Sequence, residues 1–281
     1  MDPLLDEGNK FGLGDLLAIV AAVKEEINPV LKSGKFSSLD GPDGTLSYEG
    51  QLASGASAII IASGMGKERS EAATQWLVRQ HNPTLIVSVG FGGGTKPAVD
   101  TSTIVISTSV SILKGSPLEW SLPVDLESIE ADARWAGVAR MSVELNGIDF
   151  AHGPIITVPI VTRSPGMKEW LGGKFGVYSV DLESYWIAKV ATDASIPFLG
   201  IRVIVDSVDM TLPELVSQMP DTPSGGRTGK AISYALKNPR NISELTRLGR
   251  TSSRAGARLA EFLAAFASDF HNQTAPTMNP T

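Results

Sequence analysis

The chain of 281 residues contains no cysteine, which excludes both disulfides and thiolate metal sites. Histidine is scarce too: only His81, His152 and His271 occur, and their spacing matches no metal-ligand pattern. No apolar run is long enough to span a bilayer; the longest early one is LLAIVAAV at 16–23. That run follows Asp2, Asp6 and Glu7 rather than a basic segment, and no small-residue cleavage site stands out, so a signal peptide is not expected. Positive charge is in deficit. The 24 Lys and Arg against 30 Asp and Glu leave a formal charge of −6, which disfavours a general nucleic-acid surface. No repeat in the range of about 20–50 residues is visible, so a solenoid is excluded as well.

What remains is an ordinary globular composition, 42% hydrophobic and 19% charged. Short apolar runs alternate with helical patterns. LLAIVAAV, ASAIIIAS (56–63), TLIVSVG (84–90), TIVISTSV (103–110), GPIITVPIVTR (153–163) and FLGIRVIV (198–205) read as strands. KEEINPVLKSG reads as a short helix with Pro29 in its first turn and Gly34 as its stop. Residues 33–50 carry Gly41-Pro42 and Asp43-Gly44 and read as a hairpin, whereas 114–135 reads as irregular. Two helices broken at Asn238-Pro239 are expected over 229–270. This alternation predicts an α/β fold: a single domain at 15–270 with a central, largely parallel mixed sheet flanked by helices. A flexible arm is expected at 1–14 and a disordered tail at 271–281.

The acids are placed where such a sheet does chemistry. Asp181 and Glu183 precede a helix, and the strand that follows ends on Asp206. Ligands of open α/β sheets bind at the carboxyl ends of strands. Read singly, each acid has a plainer role: Asp181 as a helix cap, Glu183 as first-turn charge, Asp206 as the start of a loop. Glu25 and Glu26 stand at the first strand-to-helix junction and invite the same two readings. Glycines cluster after the second and third strands, as SGMGK at 63–67 and GFGGGT at 90–95. A dinucleotide fingerprint fails there, because Thr95 occupies the position of the last required glycine. A phosphate-binding P-loop fails too, since Gly66-Lys67 is followed by Glu68 and Gly229-Lys230 by Ala231.

Taken in order, these motifs resemble the superfamily of purine nucleoside phosphorylases and methylthioadenosine/adenosylhomocysteine nucleosidases. The resemblance covers about 16–210 and implies a role for each motif. Glu26, the last residue of an acidic triplet in which Lys24 replaces the first acid, would position the attacking water. Ser63, Gly64, Gly66 and Lys67 match a turn at the edge of the site. Gly90, Phe91, Gly92, Gly93 and Gly94 match a glycine-rich turn along base and ribose. The segment at Val161, Thr162 and Arg163 would meet the purine edge. Leu182 and Glu183 stand for a Met-Glu pair that grips the ribose hydroxyls. Asp206 would protonate the purine at N7, although Val205 stands where nucleosidases often carry an orienting Ser. The carboxyl-terminal stretch further resembles the hopanoid-associated phosphorylase branch, whose members are implied to remove adenine from adenosylhopane.

The expected activity is therefore cleavage of the N-glycosidic bond of an adenosine-type nucleoside, with adenine released, no cofactor, and a cytoplasmic location. Water is favoured as nucleophile, because Ser88 replaces a phosphate-binding Arg of the phosphorylases. Phosphorolysis with phosphate as co-substrate stays open through Arg163 or Arg202, and a non-catalytic nucleoside-binding protein on the same fold is the other alternative. The Pro- and Met-bearing loop after Asp206 is expected to act as a lid. A last helix with Leu245, Leu248, Leu259, Phe262 and Phe266 beside Arg247, Arg250, Arg254 and Arg258 is expected to allow peripheral contact with an anionic membrane. A homodimer is compatible with all of this.

Overall fold

The computed structural model describes residues 16–115, 126–214, 216 and 242–274. The expected arm at 1–14, most of the expected lid, the break at Asn238-Pro239 and residues 275–281 lie outside these.

Runs rich in Val and Ile, with no polar face to show to water, can only be satisfied in the middle of a sheet covered on both sides. β1 (Leu17–Ala21) is such a strand, parallel to β4 (Ser57–Ala62) on one side and β5 (Leu85–Gly94) on the other. β10 (Phe198–Asp206) lies parallel to the far edge of β5. β6 (Ile104–Ile112), β8 (Phe150–Thr157) and β9 (Ser179–Asp181) continue in parallel pairs. Two antiparallel pairings, β10 with β6 and β9 with β5, then join these strands into a closed circuit, β5–β10–β6–β8–β9. The hairpin at 33–50 forms β2 (Lys35–Leu39) and β3 (Leu46–Gln51) and extends the sheet beyond β4. β7 (Glu127–Glu130) pairs with β6, inside the stretch that sequence pattern leaves irregular; its exposed, polar side chains hide the strand.

Helices cover both faces. α1 (Lys24–Ser33), α3 (Ala133–Leu145) and α6 (Ile242–Thr274) pack on one, where Ile27, Trp135, Leu259 and Phe262 meet Ile19, Ile60 and Val87. α2 (Lys67–His81) and α5 (Ser184–Asp193) close the other with Ala73, Leu77, Ile187 and Ala188 over Ile59 and Ile86. α4 (Pro165–Phe175) joins a smaller cluster with Leu171, Ile156 and Val180. Together these layers make one α/β domain.

Two helices depart from expectation. Pro29 lies inside α1, not in its first turn. Proline cannot return an N–H to the Glu25 carbonyl, and α6 packs onto that turn: a β-carbon on Gly256 would stand 3.1 Å from both the Glu25 carbonyl and Pro29 Cγ. α6 itself is one continuous helix that runs past residue 270 to Thr274. Its Leu259, Phe262, Leu263, Phe266 and Phe270 are fully buried, with Phe262 stacked on Phe266 at 5.6 Å. The apolar face expected to rest on a bilayer is therefore used by the core. Arg247, Arg250 and Arg254 stay exposed, and Arg258 pairs with Glu261 at 2.8 Å. Among the described residues no helix is long and apolar enough to cross a membrane.

Candidate active site

The turn from β1 into α1 exposes backbone N–H groups that the first helical turn cannot bond internally. Glu26 folds back over them. Its Oε2 accepts the N–H of Ala22 and of Val23, each at 2.9 Å, and its Oε1 accepts the N–H of Phe91 from β5 at 2.8 Å. Glu26 is buried, whereas Lys24 and Glu25 of the same motif are exposed. Burial pushes the Glu26 carboxyl above its ordinary value, against the pull of the Phe91, Val23 and Ala22 N–H groups and Arg202.

The glycines after Ser88 do not make a turn: β5 runs straight through them to Gly94. None of them has positive φ, so what they supply is space. A β-carbon on Gly92 would run into Ser179 Oγ, and one on Gly93 would stand 3.1 Å from Val180 Cγ1 and 3.4 Å from Asp206 Oδ2. Bare backbone is what lets β9 and β10 close on this strand at the site.

Asp181 takes the plainer of its two roles. Its Oδ1 accepts the Thr157 hydroxyl at 2.7 Å and the N–H groups of Glu183 and Ser184 at 3.3 Å, which fixes the start of α5. Its Oδ2 receives Arg202 Nε at 2.7 Å, with both side chains buried. Arg202 makes three further hydrogen bonds: NH1 donates to the carbonyls of Ser88 and Ile201, and NH2 to Ser88 Oγ at 2.8 Å. Neither Arg202 nor Arg163, whose Nε donates to the Leu212 carbonyl, lines the larger cavity; Arg202 lines a small adjoining pocket with Glu26, Gly90, Phe91 and Glu183. Glu183 differs from Asp181. It is the residue before α5, it accepts only the Gly66 N–H at 2.9 Å, and burial next to Asp181 pushes its carboxyl up to about 8.

Asp206 ends β10 at a bulge in the pairing with β5. It is 2% exposed, and burial raises its carboxyl to about 6 against the opposing charge of Lys168. Val205 offers it no hydrogen bond. Lys168 Nζ does, at 2.7 Å. Nothing in GMKEWLGG marks this lysine in the sequence, because its partner lies 38 residues away.

Glu26, Glu183 and Asp206 line one cavity of about 590 Å³, together with Phe91, Gly92, Gly93, Val161, Thr162 and Leu182. The Thr162 hydroxyl is buried there without a protein partner. Met65, Ile160, Leu212 and Leu248 also contribute to the wall. Ser63, Gly64 and Gly90 are not among the lining residues. Ser63 Oγ is spent on the carbonyls of Ala21 and Gly64, and Gly90 lies beneath Glu26. The described lining residues include no lysine or arginine, and no cluster of His, Asp and Glu among the described residues could hold a metal.

A strand circuit with acids at the strand ends around one cavity is the nucleoside phosphorylase/nucleosidase fold. Residues 16–222 match the family model of the phosphorylase superfamily, and the chain belongs to that family. A relative from Bacillus velezensis, a 5'-methylthioadenosine/S-adenosylhomocysteine nucleosidase, is 28% identical over 201 residues, 68% of this chain and 85% of that protein. The structure of 5'-methylthioadenosine/S-adenosylhomocysteine nucleosidase from Neisseria meningitidis, in complex with methylthio-immucillin-A, superposes with a TM-score of 0.69 at 18% identity, covering 90% of this chain and 99% of that one. Futalosine hydrolase of Helicobacter pylori has a TM-score of 0.68 at 16% identity, covering 90% and 97%. The fold is thus shared by proteins named for different substrates.

Proposed function

We propose that the protein hydrolyses the N-glycosidic bond of a 5′-substituted adenosine and releases adenine. Four buried carboxyl groups line the cavity; Asp181 is paired with Arg202, and the observation that carries this reading is the convergence of the other three, Glu26, Glu183 and Asp206, each in a different hydrogen-bonding environment. Separate environments are what let like groups take separate roles. Asp206, holding its proton up to about pH 6, delivers it to N7 of the purine. The C1′–N9 bond breaks and its electron pair goes to the base. Glu26 orients water, whose oxygen bonds to C1′ and whose proton passes to the carboxylate. Glu183, a neutral carboxyl below about pH 8, grips the ribose hydroxyls through hydrogen bonds.

Water is the nucleophile in this reading because no lysine or arginine among the described residues lines the cavity, and a phosphate anion would have no counter-charge there. The 5′ substituent is apolar and larger than methylthio, as in adenosylhopane. Ile160, Val161, Leu212 and Leu248 support this, since they give the cavity apolar lining. The test is a panel of adenosine derivatives with and without phosphate, with the released base and sugar identified. Free adenine and a free 5′-substituted ribose in phosphate-free buffer are expected. A ribose 1-phosphate product formed only with phosphate would establish phosphorolysis instead, and binding without turnover would establish a nucleoside-binding protein.

A further inference from the structure

Lys168 is fully buried, a costly place for an ammonium group. It sits in α4, whose start is set by Pro165 and by the Ser164 hydroxyl accepting the Met167 N–H. An ammonium has three N–H donors, and all three are spent on one short segment: Asp206 Oδ2 at 2.7 Å, the Ser207 carbonyl, and the Met210 carbonyl at 2.7 Å. The same segment is tied to the loop before α4 a second time. The Leu212 N–H donates to the Arg163 carbonyl at 3.0 Å, and Arg163 Nε donates back to the Leu212 carbonyl.

We propose that Lys168 is a positioning residue for Asp206: it fixes which carboxyl oxygen is turned to the cavity, tethers that carboxyl to the loop after β10, and holds the negative charge left behind when the proton departs. This rests on the reading of Asp206 as the acid that protonates the base. A buried ion pair is weak evidence for stability, because an apolar side chain of similar volume fills such a site at lower cost. What the ammonium adds, and an apolar residue cannot, is control of the carboxyl beside it. Other charged groups nearby are occupied elsewhere. Arg202 on β10 is bound to Asp181, and Glu183 holds Gly66. Glu26 holds the Phe91 N–H, and Asp209 is exposed and bonded to Ser207. Lys168 is the charge that acts on Asp206 directly, opposing the upward push of burial.

The test compares the wild-type protein with Lys168→Met, which keeps the volume and removes both donors and charge, and with Lys168→Gln, which keeps a donor and removes the charge. The Asp206 carboxyl is followed by carbon-13 NMR in aspartate-labelled protein, with Asp206→Asn assigning its resonance. In both variants Asp206 is expected to titrate at least about one pH unit higher than in the wild type. kcat is expected to fall about 10–100-fold with KM little changed, and the alkaline limb of the rate profile should move up with the titration. A purely structural lysine would lower the melting temperature and leave the titration where it was. Should Lys168→Met fail to fold, Lys168→Gln carries the same comparison. An Asp206 that titrates at the same pH in wild type and variant overturns the proposal, as does an unchanged kcat. A wild-type protein that releases no base from any adenosine derivative refutes the functional reading instead, and the NMR comparison still decides on Lys168.

Discussion

A β-carbon placed on Gly90 would stand 2.7 Å from Oε1 of Glu26, closer than such atoms can approach. Glu26 has nowhere to retreat, because Ala22, Val23 and Phe91 hold both of its oxygens from the backbone. Gly90→Ala should therefore displace the carboxyl that orients water. The expected result is a fall in kcat of about 10–100-fold, typical of sub-ångström to ångström misplacement. The accompanying loss of stability should be about 1–3 kcal/mol, the range for overpacking. Steady-state kinetics and thermal melts check both; normal turnover would show that Glu26 need not sit where it does.

Asp206→Asn removes the proton donor and keeps the shape. Turnover should drop by about two to four orders of magnitude, the usual worth of a positioned general acid. Adenine binding should change far less. In the wild type the active form is the protonated one, so kcat/KM should fall as pH rises through about 6. The Asn variant should lose that limb of the profile along with its activity.

Much of this site was legible in the sequence, and the exceptions have physical reasons. Glu26, Glu183 and Asp206 each have a plainer reading when taken singly, and only the order of the motifs singled them out; the fold then brings all three to one cavity. Their sheet neighbours were legible too, since runs such as AIIIA admit few other fates. The glycines after Ser88 were misleading. Glycine marks turns and close approach alike, and only the packing of Ser179, Val180 and Asp206 against them shows which applies. The apolar stripe of α6 was visible, but periodicity does not say whether a stripe meets a core or a membrane. Lys168 was invisible for a third reason. A lysine in a helix normally reaches water, and its burial depends on a contact with β10 that no local pattern encodes.

Glu183 makes stability depend on pH in a defined direction. Its carboxyl is raised by burial and by Asp181 from 4.5 to about 8. Below about pH 4.5 it is protonated in folded and unfolded chains alike, and it costs nothing. As pH rises from there, the unfolded chain ionises first, so stability is lost progressively until the folded carboxyl ionises near pH 8. Glu183→Gln cannot ionise, and its amide oxygen can still accept the Gly66 N–H. The variant should therefore be more stable than the wild type at pH 8, by a margin on the order of a few kcal/mol. The margin should close as pH falls to about 4.5. Denaturant unfolding at several pH values decides it; a margin that does not vary with pH would mean that Glu183 is ionised throughout. kcat/KM of the same variant should fall about 10–100-fold, as expected when a group that positions the substrate is altered.

Arg202 tests the distinction between support and chemistry. It holds Asp181, which lines the cavity that also carries Asp206, and Ser88, which does not. Arg202→Met should leave Asp181 buried without a counter-charge and cost about 3–5 kcal/mol of stability. If Arg202 instead served phosphate, the wild-type rate would rise with phosphate concentration and the variant's would not. We expect phosphate independence in the wild type and a loss in the variant that follows its melting temperature.

The identity of the 5′ substituent can be probed from the apolar lining of the cavity. Leu248 of α6 is half-buried and lines the cavity with Ile160, Val161 and Leu212. Leu248→Trp adds bulk to the cavity lining and leaves Glu26, Glu183 and Asp206 in place, and the rest of α6 stays anchored by Leu259, Phe262 and Phe266. If a bulky apolar 5′ group occupies this end, the indole should lower kcat/KM for such adenosines by about 10–200-fold, the range that small changes in an apolar pocket command. Methylthioadenosine needs none of that space, so its kcat/KM should change by less than about 3-fold, well below that range. Competition between the two substrate types on wild type and variant gives the ratio directly. Equal losses for both would place the 5′ group elsewhere, and a wild type that strongly prefers methylthioadenosine would mean that the apolar wall serves packing rather than substrate choice.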